Sequence, residues 1–168
     1  TLLYEFGLRD YQKQRIDDFL AEKPSYHVQQ SIIAIGSGGL TGKDKDDATQ
    51  VQLKFLPIAT TDFIFAYHVE RFGFLGALVL IFTYMALTVH LLGLRNKFKN
   101  DHFGIVFSSG LAILIFIYSA INIAMTIGFA PVVGIPLPMY SYGGTSFMNF
   151  MILFGILENL LAFRFDFL

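Results

Sequence analysis

Three long stretches of this sequence carry almost no charge, and they dictate what the chain can fold into. Phe72 to Leu94 runs for 23 residues without an acid, lysine or arginine, Phe103 to Ile127 for 25, and Thr145 to Phe163 for 19 with a single acid, Glu158. A helix rises about 1.5 Å per residue, so roughly 20 residues cross a hydrocarbon core ~30 Å thick. Backbone groups in lipid find no water, so such segments must be helical. Buried soluble helices are a poor account of three runs of this length.

Composition agrees. The chain is 54% hydrophobic and only 15% charged, far more apolar than a soluble domain of 168 residues requires. Ten of its thirteen acids and eight of its twelve Lys/Arg residues fall within the first 71 positions, which separates a polar region from a membrane region. A net charge of -1 offers no basic stripe for nucleic acid. There is no cysteine, hence no disulfide framework. The chain opens with Thr1 and is read as a piece of a longer protein.

The connector Leu94 to Asp101 holds Arg95, Lys97 and Lys99 beside two spans, which places it in the cytoplasm by the positive-inside rule. Alternation then sets the expected organisation. Residues 1–8 end a preceding span, 9–71 form a large extracytoplasmic loop region with short helices, and 72–94 span the membrane. Residues 95–102 are a cytoplasmic loop, 103–127 a second span, 128–144 an extracytoplasmic Pro/Gly loop, 145–163 a third span and 164–168 a cytoplasmic tail. The fold class is an all-α polytopic membrane protein.

Several residues could carry chemistry. Asp62 lies in Thr60-Thr61-Asp62-Phe63-Ile64-Phe65-Ala66, an acid among apolar residues at the mouth of a helix. It reads either as a proton acceptor or as an N-cap. Glu70, eight residues on, reads as a second acid near it, as a partner of Arg71 or as a solvated membrane-edge residue. Gly36-Ser37-Gly38-Gly39 could turn its N–H groups around an anion with Lys43 nearby, although a flexible turn explains the composition as well. The histidines His27, His68, His90 and His102 are too scattered for a dedicated metal site. Residues 130–146, with three prolines and three glycines among apolar neighbours, cannot form a regular helix and are too greasy for a solvated loop. Asn122 is a polar group inside a span, explained by inter-helix hydrogen bonding or by function.

Longer motifs add to this. Tyr11-Gln12-Lys13-Gln14-Arg15-Ile16, Ile33-Ala34-Ile35-Gly36-Ser37-Gly38-Gly39-Leu40 with Gly42-Lys43, and Thr61-Asp62-Phe63-Ile64-Phe65-Ala66 followed by Glu70 and Gly73-Phe74 occur in that order. Pro131-Val132-Val133-Gly134-Ile135-Pro136-Leu137-Pro138 and Ser141-Tyr142-Gly143-Gly144 follow. Together they resemble the SEDS family (shape, elongation, division and sporulation), its RodA branch more closely than its FtsW branch. The chain differs from the family pattern at Pro57-Ile58, where Pro-Glu is usual, and at Arg71, where a second acid is usual.

The resemblance implies a SEDS-type helical bundle, of which this chain is the C-terminal half, in the bacterial inner membrane. It implies a peptidoglycan glycosyltransferase that polymerises lipid II, a polyprenyl-pyrophosphate-linked disaccharide peptide, beside a class B penicillin-binding protein. Asp62 takes the place of the family's essential outer-loop aspartate, the expected catalytic base. Arg15 and Lys43 are expected to hold pyrophosphate, and Ser37, Gly38, Glu70, Ser141 and Tyr142 to complete the substrate-binding set. The loop at 131–146 would help form a groove for the polyprenyl chains. No cofactor is specified, and an assisting divalent cation is left open. A flippase for the same lipid precursor and a non-catalytic scaffold of the cell-wall complex are the alternatives.

Overall fold

The computed structural model describes residues 10–20, 25–43, 61–98 and 101–163, and within these it is helical, with no strand. The expected end of an earlier span at 1–8 and the tail at 164–168 lie outside the described residues. In chain order the helices are α1 (Asp10–Leu20), α2 (Tyr26–Ser37), α3 (Ile64–Leu94), α4 (His102–Thr126) and α5 (Gly144–Phe163). A 3₁₀ turn, Arg95–Lys97, follows α3. The last three helices, with the turn counted into the first of them, are long and apolar enough to cross a membrane.

Helix α3 begins eight residues before the run at 72–94, and the reason is local. Phe63, Ile64, Phe65, Ala66 and Val69 are buried, and Glu70 is buried with them, so the charged Glu70-Arg71 pair does not mark a surface boundary. The boundary survives in another form. Gly73 has φ 68° and ψ −167°, which splits α3 into a short leading helix and a long following one.

Small residues let α3 and α4 approach. Along α4 the buried positions include Gly104, Ser108, Ala112, Ile115, Ser119 and Asn122, recurring every three or four residues so that they form one stripe. Gly104, Ser108 and Ala112 are small residues four apart, the pattern that allows close helix contact where lipid removes the hydrophobic drive between helices. The opposite face exposes Val106, Ile113, Phe116 and Ile117. Leu91, Leu94, Phe98, Leu111, Ala112, Ile115, Phe150 and Leu157 form the main core; of α5 only Phe150 and Leu157 are buried, with Leu153, Phe154, Leu160 and Leu161 packed half-buried around them.

The ends of α4 are well specified. Asp101 Oδ1 accepts from Phe103 N at 3.0 Å at the start. At the other end Gly128, with φ 81°, lets Phe129 N donate to Ala124 O and Gly128 N to Met125 O, the paired bonds of a Schellman stop. Helix α2 seats against this end through Ser31 Oγ, which donates to Thr126 O at 2.7 Å. Its Val28 and Ala34 pack with Phe63 and Ala66 ahead of the α3 break.

Candidate active site

Asp62 sits half-buried just before α3. The helix takes Phe63 as its N-cap with no side-chain cap bond, so the capping role open to Asp62 on sequence is not used. Its carboxylate makes no hydrogen bond or ion pair among the described residues. The Pro/Gly loop passes close to it at Gly134, where an added side-chain carbon would lie 3.3 Å from Asp62 Oδ2. Gly134 has φ 70°, which glycine alone adopts readily, so the loop passes the acid with bare backbone.

That loop is held by two helices and by a bond of its own. Asn122, fully buried on α4, donates from Nδ2 to Asp62 O at 2.9 Å and to Ile135 O at 2.7 Å. Tyr84 on α3 donates to Pro138 O at 2.6 Å. Ser141 Oγ accepts from Leu137 N at 2.7 Å, closing a turn over the buried Leu137 and Pro138. The Ser141 hydroxyl is therefore engaged in bracing the loop, while Tyr142 next to it is exposed. A Ser141→Ala variant leaves a buried N–H without its acceptor and is expected to cost about 1–3 kcal/mol, read as a lowered unfolding midpoint of the purified protein.

Tyr140 links the loop to the α3 break. Burial, and after it the neighbouring Tyr67 phenol, hold its hydroxyl above the usual range, so it stays protonated at neutral pH. It lies 2.6 Å from His68 Nδ1, while His68 Nε2 lies 3.1 Å from Gly76 O. A carbonyl only accepts, so Nε2–H donates to Gly76 O, and Nδ1 shares a hydrogen bond with the Tyr140 hydroxyl. The imidazole thus spans from the leading part of α3 to the part beyond Gly73.

The glycine-rich segment packs its main chain directly against the main chain of α3. Its backbone is exchanged with that of α3. Phe74 N donates to Gly39 O at 2.9 Å and Leu75 N to Leu40 O at 3.2 Å, while Lys43 N donates to Glu70 O at 3.0 Å. Phe74 and Glu70 are four apart and would have bonded each other in an unbroken helix. The N–H of Gly38 is spent on Ala34 O and Ile35 O, and Ser37 Oγ donates to Ala34 O. Side-chain carbons at Gly38, Gly42 and Gly73 would each collide with main chain across the joint.

The joint thus brings Lys43 and Glu70 together through their backbones, and Glu70 is fully buried rather than solvated. Arg15 is exposed on α1 and makes no hydrogen bond or ion pair among the described residues. No group of three or more His, Asp or Glu that could hold a metal ion converges among the described residues. Asn122, left on sequence between inter-helix bonding and function, is absent from the expected site set, yet it holds the main chain of Asp62. Its signal was a lone carboxamide within an apolar run. A cavity of about 560 Å³ opens between α4, α5 and the loop, lined by Tyr118, Pro136, Thr145, Asn149, Phe150 and Leu153 among others.

Comparison with known proteins places this arrangement. The chain is 64% identical over 166 residues to the peptidoglycan glycosyltransferase MrdB of Helicobacter pylori, a match covering 99% of this chain and 43% of that protein. It is 42% identical to MrdB of Escherichia coli K12, covering 97% of this chain and 45% of the relative. The peptidoglycan glycosyltransferase RodA of Treponema pallidum is 36% identical, over 92% of this chain and 37% of its own length. A solved chain from work on structural coordination of polymerization and crosslinking by a peptidoglycan synthase complex superposes with a TM-score of 0.72 at 25% identity, covering 94% of this chain and 44% of that one. The chain thus spans less than half the length of these relatives. Since the model of the FTSW_RODA_SPOVE family of cell cycle proteins matches residues 1–165, the chain belongs to that family, the SEDS proteins to which its motifs point.

Proposed function

We propose that the full-length protein is a membrane glycosyltransferase that polymerises lipid II into glycan strands during cell elongation. The observation that carries this reading is the Asp62 carboxylate, half-buried, unused for capping and passed by a bare backbone loop. Relatives named peptidoglycan glycosyltransferases support it. Asp62 accepts the proton of an acceptor sugar hydroxyl as that oxygen attacks the donor's anomeric carbon. The new C–O bond forms as the bond to pyrophosphate breaks, and polyprenyl pyrophosphate leaves with the electron pair.

Arg15 and Lys43 neutralise the charge that develops on that leaving group. Lys43 suits the task because its backbone is pinned to Glu70 at the helix break. Ser37, Gly38, Glu70, Ser141 and Tyr142 shape the surroundings, and the cavity beneath Pro136 takes apolar chain. The protein resides in the bacterial inner membrane with residues 9–71 outside and its C-terminus in the cytoplasm, next to a class B penicillin-binding protein that crosslinks the product.

Purified full-length protein in liposomes containing lipid II separates the candidates. Glycan polymer is the expected product. Movement of lipid II between leaflets with no polymer would mean a transporter, and neither activity together with retained partner recruitment would mean a scaffold. For the orientation, cysteines introduced at Thr49 and Asn96 are expected to differ, with only the first reacting with an impermeant reagent from outside.

A further inference from the structure

Asn122 is completely buried, yet only half of its carboxamide is satisfied. Both bonds run from Nδ2, to Asp62 O and to Ile135 O, and because carbonyls only accept, the orientation of the amide is fixed. Oδ1 is left buried without a hydrogen-bond partner among the described residues. A buried acceptor in that state costs about 1–3 kcal/mol, a cost that a leucine of similar volume would avoid. The two donated bonds must therefore do something that packing does not. They tie the residue carrying the carboxylate to the loop residue next to Gly134, whose backbone passes Asp62 Oδ2.

We propose that Asn122 is a positioning residue that sets the Asp62 carboxylate against the 131–138 loop by clamping the main chain on both sides of the site. This rests on the polymerase reading. The clamp acts through backbone and touches no substrate, so its loss misdirects the acid without emptying the site. A displacement of that kind lowers turnover and leaves substrate binding nearly intact.

The test uses purified full-length protein and lipid II, with steady-state kinetics and an unfolding midpoint for each variant. Asn122→Leu keeps the volume and removes both donors; kcat is expected to fall about 10- to 100-fold with KM within about twofold of the parent. Asn122→Asp keeps the shape, and its protonated form returns one donor, so a smaller loss of kcat is expected. If Asn122→Leu does not fold, the same kcat and KM criterion on Asn122→Asp decides. Parental kcat in a folded Asn122→Leu protein would overturn the proposal. So would a loss that appears mainly in KM and tracks the fall in unfolding midpoint, since that describes a plain brace. Asp62→Asn is run alongside: if that variant keeps full polymerisation, the polymerase reading itself falls, whereas an inactive Asp62→Asn beside an unimpaired Asn122→Leu removes only the clamp.

Discussion

An Asp62→Asn variant of the full-length protein is expected to polymerise lipid II about 100- to 10,000-fold more slowly than the parent, the range over which a positioned general base contributes. In free energy that is about 3–5 kcal/mol of transition-state stabilisation. The substitution is nearly isosteric, and it removes the capacity to accept a proton while keeping a polar amide. Because the carboxylate neither caps α3 nor joins another side chain among the described residues, stability should change by less than about 0.5 kcal/mol. The combination of dead chemistry and an undisturbed unfolding midpoint is the signature sought. Polymer formed at the parental rate would remove Asp62 as the base, and a large fall in stability would mean the carboxylate holds the fold instead.

Gly73→Ala is expected to remove most of the folded protein, with destabilisation above about 4 kcal/mol. Two independent costs combine. The backbone there lies at φ 68°, ψ −167°, a region that belongs almost entirely to glycine and costs another residue of order 1–3 kcal/mol. An added carbon would also strike Gly42 N and the carbonyl of Leu40, which forces the joint apart and endangers the bonds from Phe74, Leu75 and Lys43. Size-exclusion behaviour after extraction and the unfolding midpoint measure the effect. Gly36→Ala is the matched control. It lies on helix α2 with nothing within 4 Å of the added carbon, and alanine is favoured there by about 1 kcal/mol on helix propensity. A Gly73→Ala protein as stable as the control would mean that the break is not required.

The sequence disclosed the long helices because lipid leaves a segment few options. An uncharged run of some 20 residues has one way to satisfy its backbone, and Phe103 to Ile127 ends where Gly128 closes the helix. It did not disclose the true start of α3, because Glu70-Arg71 looks like a boundary until one knows that Glu70 is buried. Asp62 was visible as an acid in apolar company, but capping and catalysis predict the same residue at the same place, and it took the N-cap geometry at Phe63 to remove the capping reading. The glycine-rich segment was legible only in part. Composition reports that a backbone needs freedom or clearance, and it cannot say that the clearance is for another stretch of main chain. The bonds of Asn122 join positions 60 residues apart in one case and 13 in the other, beyond the reach of any periodicity.

The crossing of the glycine segment with α3 has a consequence for genetics. Where a bulky side chain meets a side chain, a second substitution can trim the neighbour and restore the fit. At Gly38 and Gly42 the obstacles are the carbonyls of Val69 and Arg71, and no codon change shortens a carbonyl. Revertants of a lesion at these positions should therefore not arise among the touching residues. They would have to move whole segments, for instance by resetting where Ser31 anchors α2 on the end of α4.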